Sequence, residues 1–109
     1  MLEPLLGSRN RERILLYLFG RTDGYAREIA RFFKTDLDPI QKQLYRLERG
    51  GVLYSRQVGK TRLFGLNLRY AFLPELRDLL GKALEFYPEE DRNRLVSVRR
   101  RPRRKGKPL

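Results

Sequence analysis

The sequence predicts a small α+β domain, mainly α, on three observations. Residues 25 to 53 read as two short amphipathic helices joined by a tight turn and stopped by glycines; a hairpin follows at once; and a broad apolar helix lies on either side of the unit. A chain of 109 residues has room for one core. Two helices and a turn followed by a hairpin make a winged helix-turn-helix, with a two-stranded wing and a C-terminal dimerisation helix. The expected organisation is 1–70 as the winged helix-turn-helix domain, 71–95 as the C-terminal helix, and 96–109 as a disordered basic tail.

The elements follow in order. Ser8 can cap a first helix to about Phe19, in which Ile14, Leu15, Leu16, Tyr17, Leu18 and Phe19 are too many for one stripe. The next helix, from about Ala26 to Phe33, repeats Ile29, Ala30 and Phe33 on one face, with Arg27, Glu28 and Arg31 on the other. After the turn Lys34 to Asp38, a helix capped by Asp36 or Asp38 carries Pro39 in its first turn, where a missing backbone donor is tolerated. Its apolar stripe is Ile40, Leu44 and Leu47. Opposite it fall Asp38, Lys42, Tyr45, Arg46 and Arg49, with Gln41 at the edge, so a buried face supports an exposed polar one. Exposed cations and amides on a supported helix suit the major groove of DNA.

Past Gly50-Gly51, the run VLYSRQVGKTRLFGLN reads as a hairpin turning at Val58 to Thr61. Arg56, Lys60 and Arg62 lie on or near its tip. Leu53, Val58, Leu63 and Leu66 supply its inner side. A wing along phosphates or in a minor groove needs such long cations on a short rigid loop. A last helix starts near Leu73 or Pro74 and runs to about Tyr87, with Leu76, Leu79, Leu80, Ala83 and Leu84 again covering more than one face; Glu89-Glu90-Asp91 reads as a helix start.

Residues 8 to 87 resemble the winged helix-turn-helix of bacterial transcription regulators of the ArsR and MarR type. The resemblance rests on Ala26, Ile29, Ala30 and Phe33, on the turn, and on the ending Leu44, Leu47, Glu48, Gly51 and Leu53. Tyr25 departs from it by standing where a Ser or Thr cap is usual, though Glu28 keeps its half of a capping box. The resemblance implies a sequence-specific regulator of double-stranded DNA. Its first and last helices would pack across a twofold axis, so that two recognition helices reach successive major grooves.

Composition narrows the function classes. The 25 Lys and Arg outnumber 13 Asp and Glu to give +12, and residues 99 to 109 hold seven of the cations and no acid. The remaining 18 against 13 make the folded part mildly basic, so its cations must be focused to matter. The tail cations Arg99, Arg100, Arg101, Arg103, Arg104, Lys105 and Lys107 suit phosphate contacts. Arg104 to Pro108 also resembles a relaxed AT-hook, weakened where lysine replaces arginine.

Without Cys or His, thiolate and imidazole metal sites and the usual nucleophile triads are excluded. A relative of these regulators would then be one that senses no metal, and no cofactor is expected. Gly59-Lys60-Thr61 imitates the end of a phosphate-binding loop but lacks its first glycine and sits between strands. No catalytic pairing stands at informative spacing, so an enzyme is not expected. The apolar run Ile14 to Phe19 is too short to span a bilayer, and Met1 to Gly7 lacks a basic start, which favours a cytoplasmic protein. The other function class is a winged-helix adaptor for a partner protein or RNA, which would carry aromatic or apolar patches on the exposed face of the second motif helix.

Overall fold

The computed structural model describes residues 1–96, and helix α2 (Arg9–Arg21) is the post around which the rest of the chain packs. Ser8 caps it as expected, its Oγ accepting from the Arg11 backbone N–H at 3.2 Å. Ile14, Leu15, Leu16, Tyr17 and Leu18, five residues in succession, are all buried. A helix apolar on all sides must be enclosed. The enclosing elements belong to the same chain: α1 (Glu3–Leu6), β1 (Asp23–Tyr25), α4 (Leu37–Arg49), β3 (Thr61–Leu66), α5 (Leu73–Glu85) and α6 (Glu89–Leu95) all contact α2. The breadth of this helix, which suggested a second copy, is therefore satisfied within one molecule.

The helix-turn-helix lies where the periodicity put it. Helix α3 (Ala26–Phe32) buries Ile29 and Ala30, and Glu28 Oε1 accepts from the Tyr25 N–H at 3.0 Å. The corner is closed by Lys34 at φ 54 and by the Thr35 N–H donating to the Ala30 carbonyl at 3.0 Å. Helix α4 then starts after an extended Asp36, whose side chain makes no capping bond. Ile40 and Leu44 are wholly buried and Leu47 nearly so. Burial of each contributes roughly 1.5–3 kcal/mol, enough to fix which face of α4 looks outward.

The wing comprises β2 (Leu53–Val58) and β3, and β1 adds a third antiparallel strand in the order β1-β3-β2. Together these elements make a winged helix. The pairing Val58↔Thr61 leaves Gly59 and Lys60 as a two-residue turn. Gly59 sits at φ +63, a conformation that favours glycine in this position of a tight hairpin. The register corrects the expected inner side. Leu53 with Leu66, Ser55 with Phe64, and Gln57 with Arg62 share the face towards α4, whereas Arg56 with Leu63 and Val58 with Thr61 share the opposite face. Phe64 is thus the core residue, edge-on to Tyr45 at 5.8 Å between ring centroids. Leu63 is buried on the far face beside its β1 partner Tyr25.

The stretch 71–95 holds two helices: α5 ends close to the expected Tyr87, and α6 begins at Glu89-Glu90-Asp91, the cluster that reads as a helix start, with Pro88 before it. Helix α6 lies tightly on α2: a Cβ added to Gly20 would run into the Leu95 carbonyl. The N-terminal and C-terminal segments also meet over Glu12, the buried acid of α2. Its carboxylate accepts from the Leu2 N–H at 3.0 Å and from the Tyr87 hydroxyl at 2.6 Å. Burial first, and then the Glu12 carboxylate, push the Tyr87 phenol well above its ordinary range.

This packing has two measurable consequences. Gly20→Ala forces backbone apart and should lower stability by about 1–3 kcal/mol in urea unfolding, the usual cost of overpacking; an unchanged midpoint would show that α6 is not held as described. Because the Tyr87 phenol holds its proton more tightly folded than unfolded, its stabilising contribution is present below the ordinary tyrosine range and lost as pH rises through and beyond it. Tyr87→Phe should therefore flatten the alkaline limb of a stability-against-pH curve above about pH 10. An identical limb in both proteins would locate the sensitivity elsewhere.

Candidate nucleic-acid interface

Helix α4 presents its polar face as the periodicity required. Asp38, Lys42, Tyr45, Arg46 and Arg49 are exposed and Gln41 is half-buried. The Asp38 carboxylate pairs with Lys42 Nζ at 3.5 Å, one helical turn apart. Both partners are more than two-thirds exposed, and so solvated a pair holds its members weakly. Lys42 can leave it for another anion. Tyr45 is 44% exposed, with its ring edge against Phe64, so the phenol rises from the base of the wing on a fixed mount.

The wing's cations do not act as one group. Arg62 stands on the face towards α4, and its guanidinium is held in place: Nε donates to Ser55 Oγ at 3.0 Å and Nη1 to Gln57 Oε1 at 2.9 Å. The Ser55 hydroxyl in turn donates to Glu48 Oε2 at 2.6 Å. Glu48 is thus engaged in positioning Arg62 through Ser55. Arg56 is exposed on the opposite face of the sheet, beside Leu63, and does not join this group. Lys60 occupies the turn itself.

Between α3, α4 and the wing runs an open cleft of about 490 Å³, lined by Gln41 and Tyr45 of α4, by Gln57, Lys60 and Arg62 of the wing, and by Arg27, Glu28 and Arg31 of α3. Four cations face one carboxylate there, and that carboxylate is occupied by the Tyr25 N–H. The cleft is a positive surface built jointly by α3, α4 and the wing, suited to a polyanion rather than to a small neutral ligand. Of the predicted site residues, Gln41, Tyr45, Lys60 and Arg62 line it; Lys42, Arg46 and Arg49 share the exposed face of α4, Asp38 stands in its first turn, and Arg56 faces away. The tail cations Arg99 to Lys107 lie outside the described residues.

Sequence reasoning missed Arg27 and Arg31 as site residues. Their i, i+4 spacing opposite Ile29 and Ala30 marked them as exposed, but nothing local shows that α3 turns that face towards the wing. Gln57 was missed for a related reason: only the hairpin register puts it beside Arg62.

No protein-family model and no curated protein matches the chain. Solved structures do. Reduced HlyU from Vibrio cholerae N16961 aligns with a TM-score of 0.63 over 81% of this chain and 86% of its own, at 17% identity. A mutant of ZitR from Lactococcus lactis aligns at 0.53 over 83% and 68%, with 14% identity. The apo form of the same mutant gives 0.56 over 88% and 87%, with 16% identity. At these identities the likeness is one of fold.

Proposed function

We propose that this protein is a sequence-specific DNA-binding transcription regulator, with α4 in the major groove and the wing on the adjacent minor groove or backbone. The observation that carries the reading is the cleft between α4 and the wing, where Arg27, Arg31, Lys60 and Arg62 converge beside the amide of Gln41. Phosphates require such a cation array, and a half-buried amide at a helix edge suits a base edge. HlyU and ZitR, which share the fold, are winged-helix regulators, and this adds support. The exposed face of α4 stays polar and basic, with Tyr45 as its one aromatic, which favours DNA over a protein or RNA partner. Within the described residues no helix is long and apolar enough to cross a membrane, in keeping with a regulator that meets DNA in the cytoplasm.

In this reading Gln41 and Arg46 face base edges, Asp38 can accept from a cytosine amine, and Tyr45 offers apolar contact. Lys42, Arg49, Lys60, Arg62 and Arg56 serve phosphates, joined by Arg27 and Arg31. A homodimer is supported by α5 rather than by α2. Phe72 and Phe86, at the two ends of α5, are 63% and 67% exposed and fall at helical spacing with half-buried Leu76 and Leu79, so they form one stripe along the helix. Such a strip of exposed apolar surface is what a twofold contact would cover.

Sequencing of DNA fragments retained by the purified full chain at moderate salt should recover a shared motif with two half-sites about 10 bp apart. Retention of RNA or a partner protein without a DNA motif would overturn the proposal in favour of the adaptor. Gln41→Ala and Arg46→Ala should each cost about 1–3 kcal/mol on the recovered site and little on random DNA, whereas Arg27→Ala and Arg31→Ala should weaken both alike. The reverse pattern would exchange their roles. Light scattering should give twice the monomer mass, and Phe72→Glu with Phe86→Glu should halve it; a monomeric parent protein rejects the twofold contact.

The tail is assigned from sequence to nonspecific phosphate binding. Removal of residues 99–109 should leave the preferred site unchanged, lower affinity, and reduce the slope of log affinity against log salt by roughly 0.9 for each phosphate that the tail neutralises. A weakening confined to A/T-flanked sites would favour minor-groove reading instead. An unchanged slope would reject both.

A further inference from the structure

Glu48 stands in the last turn of α4, close in sequence to Arg46 and Arg49. A carboxylate there is unfavourable twice over: it meets the negative end of the helix dipole, and it repels a polyanion. Among the described residues no Lys or Arg pairs with it. Its partner is a neutral hydroxyl, the Ser55 O–H donating to Oε2 at 2.6 Å. A hydroxyl carries a single hydrogen, so a proton committed to Glu48 leaves only the oxygen's lone pairs for other neighbours. Those accept from Arg62 Nε at 3.0 Å. The carboxylate thereby polarises the oxygen that the guanidinium binds, and each bond strengthens the other.

The chain of bonds runs on to the tip of the wing. Arg62 Nη1 donates to Gln57 Oε1 at 2.9 Å, and Gln57 Nε2 donates to the Gly59 carbonyl at 3.1 Å, so this amide is held at both of its atoms. Gly59 shares the hairpin turn with Lys60. The frame beneath is held as well. The Val52 N–H donates to the Leu47 carbonyl at 2.9 Å and Asn67 Nδ2 to the Gly51 carbonyl at 2.9 Å, which keeps the start of β2 against the end of α4. Arg62 Nη2 makes no hydrogen bond among the described residues, so the guanidinium keeps donors for a phosphate.

We propose that Glu48 is a positioning residue for DNA binding: through Ser55 it holds Arg62, and through Gln57 the hold extends to the hairpin turn, so that the recognition helix sets the wing before DNA arrives. The effect on affinity rests on the DNA-binding reading; the relay of hydrogen bonds does not. An unrestrained arginine loses rotamer freedom when a phosphate orders it, and the relay meets that loss on folding instead. Glu48 therefore acts on DNA in two opposed ways. Its charge repels the phosphates, and its hold on Arg62 favours contact with them. The second effect requires Ser55 and Arg62; the first requires neither.

The relay is read first without DNA, in the full chain, from the Arg62 Nε–H signal in NMR, identified by its absence in Arg62→Lys. Its exchange with water should be slow in the parent and severalfold faster in Ser55→Ala. Equal exchange in the two would overturn the relay. Affinity for the DNA motif recovered with the parent then tests the function. Ser55→Ala alters no charge and should weaken binding about two- to tenfold, the cost of ordering one long side chain on contact. Ser55→Thr, which keeps the hydroxyl, should recover most of that loss. Glu48→Ala removes both the repulsion and the hold in the parent, but only the repulsion in Arg62→Ala. Its effect should therefore be less favourable in the parent by the same two- to tenfold, a coupling that loss of charge alone does not produce. An identical effect of Glu48→Ala in both backgrounds, or unchanged affinity in Ser55→Ala, would reject positioning. Absence of any DNA motif would overturn the DNA-binding reading and with it the effect on affinity, while the exchange rates still decide the relay.

Discussion

A helix that is apolar on every side is stable in water only when other elements enclose it, and α2 imposes that demand on the rest of the chain. Ile14, Leu16 and Leu18 lie within one stretch of five buried residues, so they cannot share one face. Each neighbour of α2 therefore answers a different part of its circumference. Helix α4 answers with Ile40 and Leu44, α5 with Leu80 and Leu84, and α6 with Leu95, all of them buried. This arrangement fixes α4 from behind. Its outward face is then determined by what remains once the stripe is committed, and the groove-facing residues inherit their direction from core packing.

The wing illustrates a second constraint, the twofold period of a strand. Arg56 and Arg62 lie on neighbouring strands with similar local chemistry, yet the register sends them to opposite faces. Only Arg62 reaches the cleft beside α4. There its donors are committed to Ser55 and Gln57, and Ser55 is itself tied to Glu48 of α4. An acid on the recognition helix, which in isolation dilutes positive charge, here helps to position a cation. Holding a long side chain in one geometry before binding removes part of the entropy that ordering it would otherwise cost on contact.

The order and type of the main elements were legible because their signals are local. The stripe Ile40, Leu44, Leu47, the glycine turn at Gly59 and the Ser8 cap each act within a few residues. Three features were not legible, and each depends on distant pairing. Strand β1 is three residues long and exists because Tyr25, Gly24 and Asp23 find Leu63, Phe64 and Gly65. Phe64 replaces Leu63 as the core side chain because register, rather than hydrophobicity, decides the face. The enclosure of α2 within one molecule depends on α6 returning to Gly20, where the missing side chain lets backbone approach backbone. Of the candidate site, the residues on α4 were readable from a helical wheel, while Arg27, Arg31 and Gln57 join it only through the tertiary arrangement.

Charge placement is the last step. Over residues 1–98 the excess of cations is small, 18 against 13, too few to make the whole surface attractive to a polyanion. The fold turns one acid, Glu12, inside the protein and gives two others hydrogen-bond donors. Glu12 is engaged by Leu2 and Tyr87, Glu28 accepts the Tyr25 N–H, and Glu48 accepts the Ser55 hydroxyl. Glu12 is buried away from the open face and Glu28 is the single carboxylate lining the cleft, while Arg27, Arg31 and Lys60 remain exposed. Within a Debye length of roughly 8 Å at physiological salt, a polyanion responds to the nearest few charges rather than to the net charge. A mildly basic domain can therefore present a strongly basic cleft, because the fold brings Arg27, Arg31, Lys60 and Arg62 together against Glu28 alone.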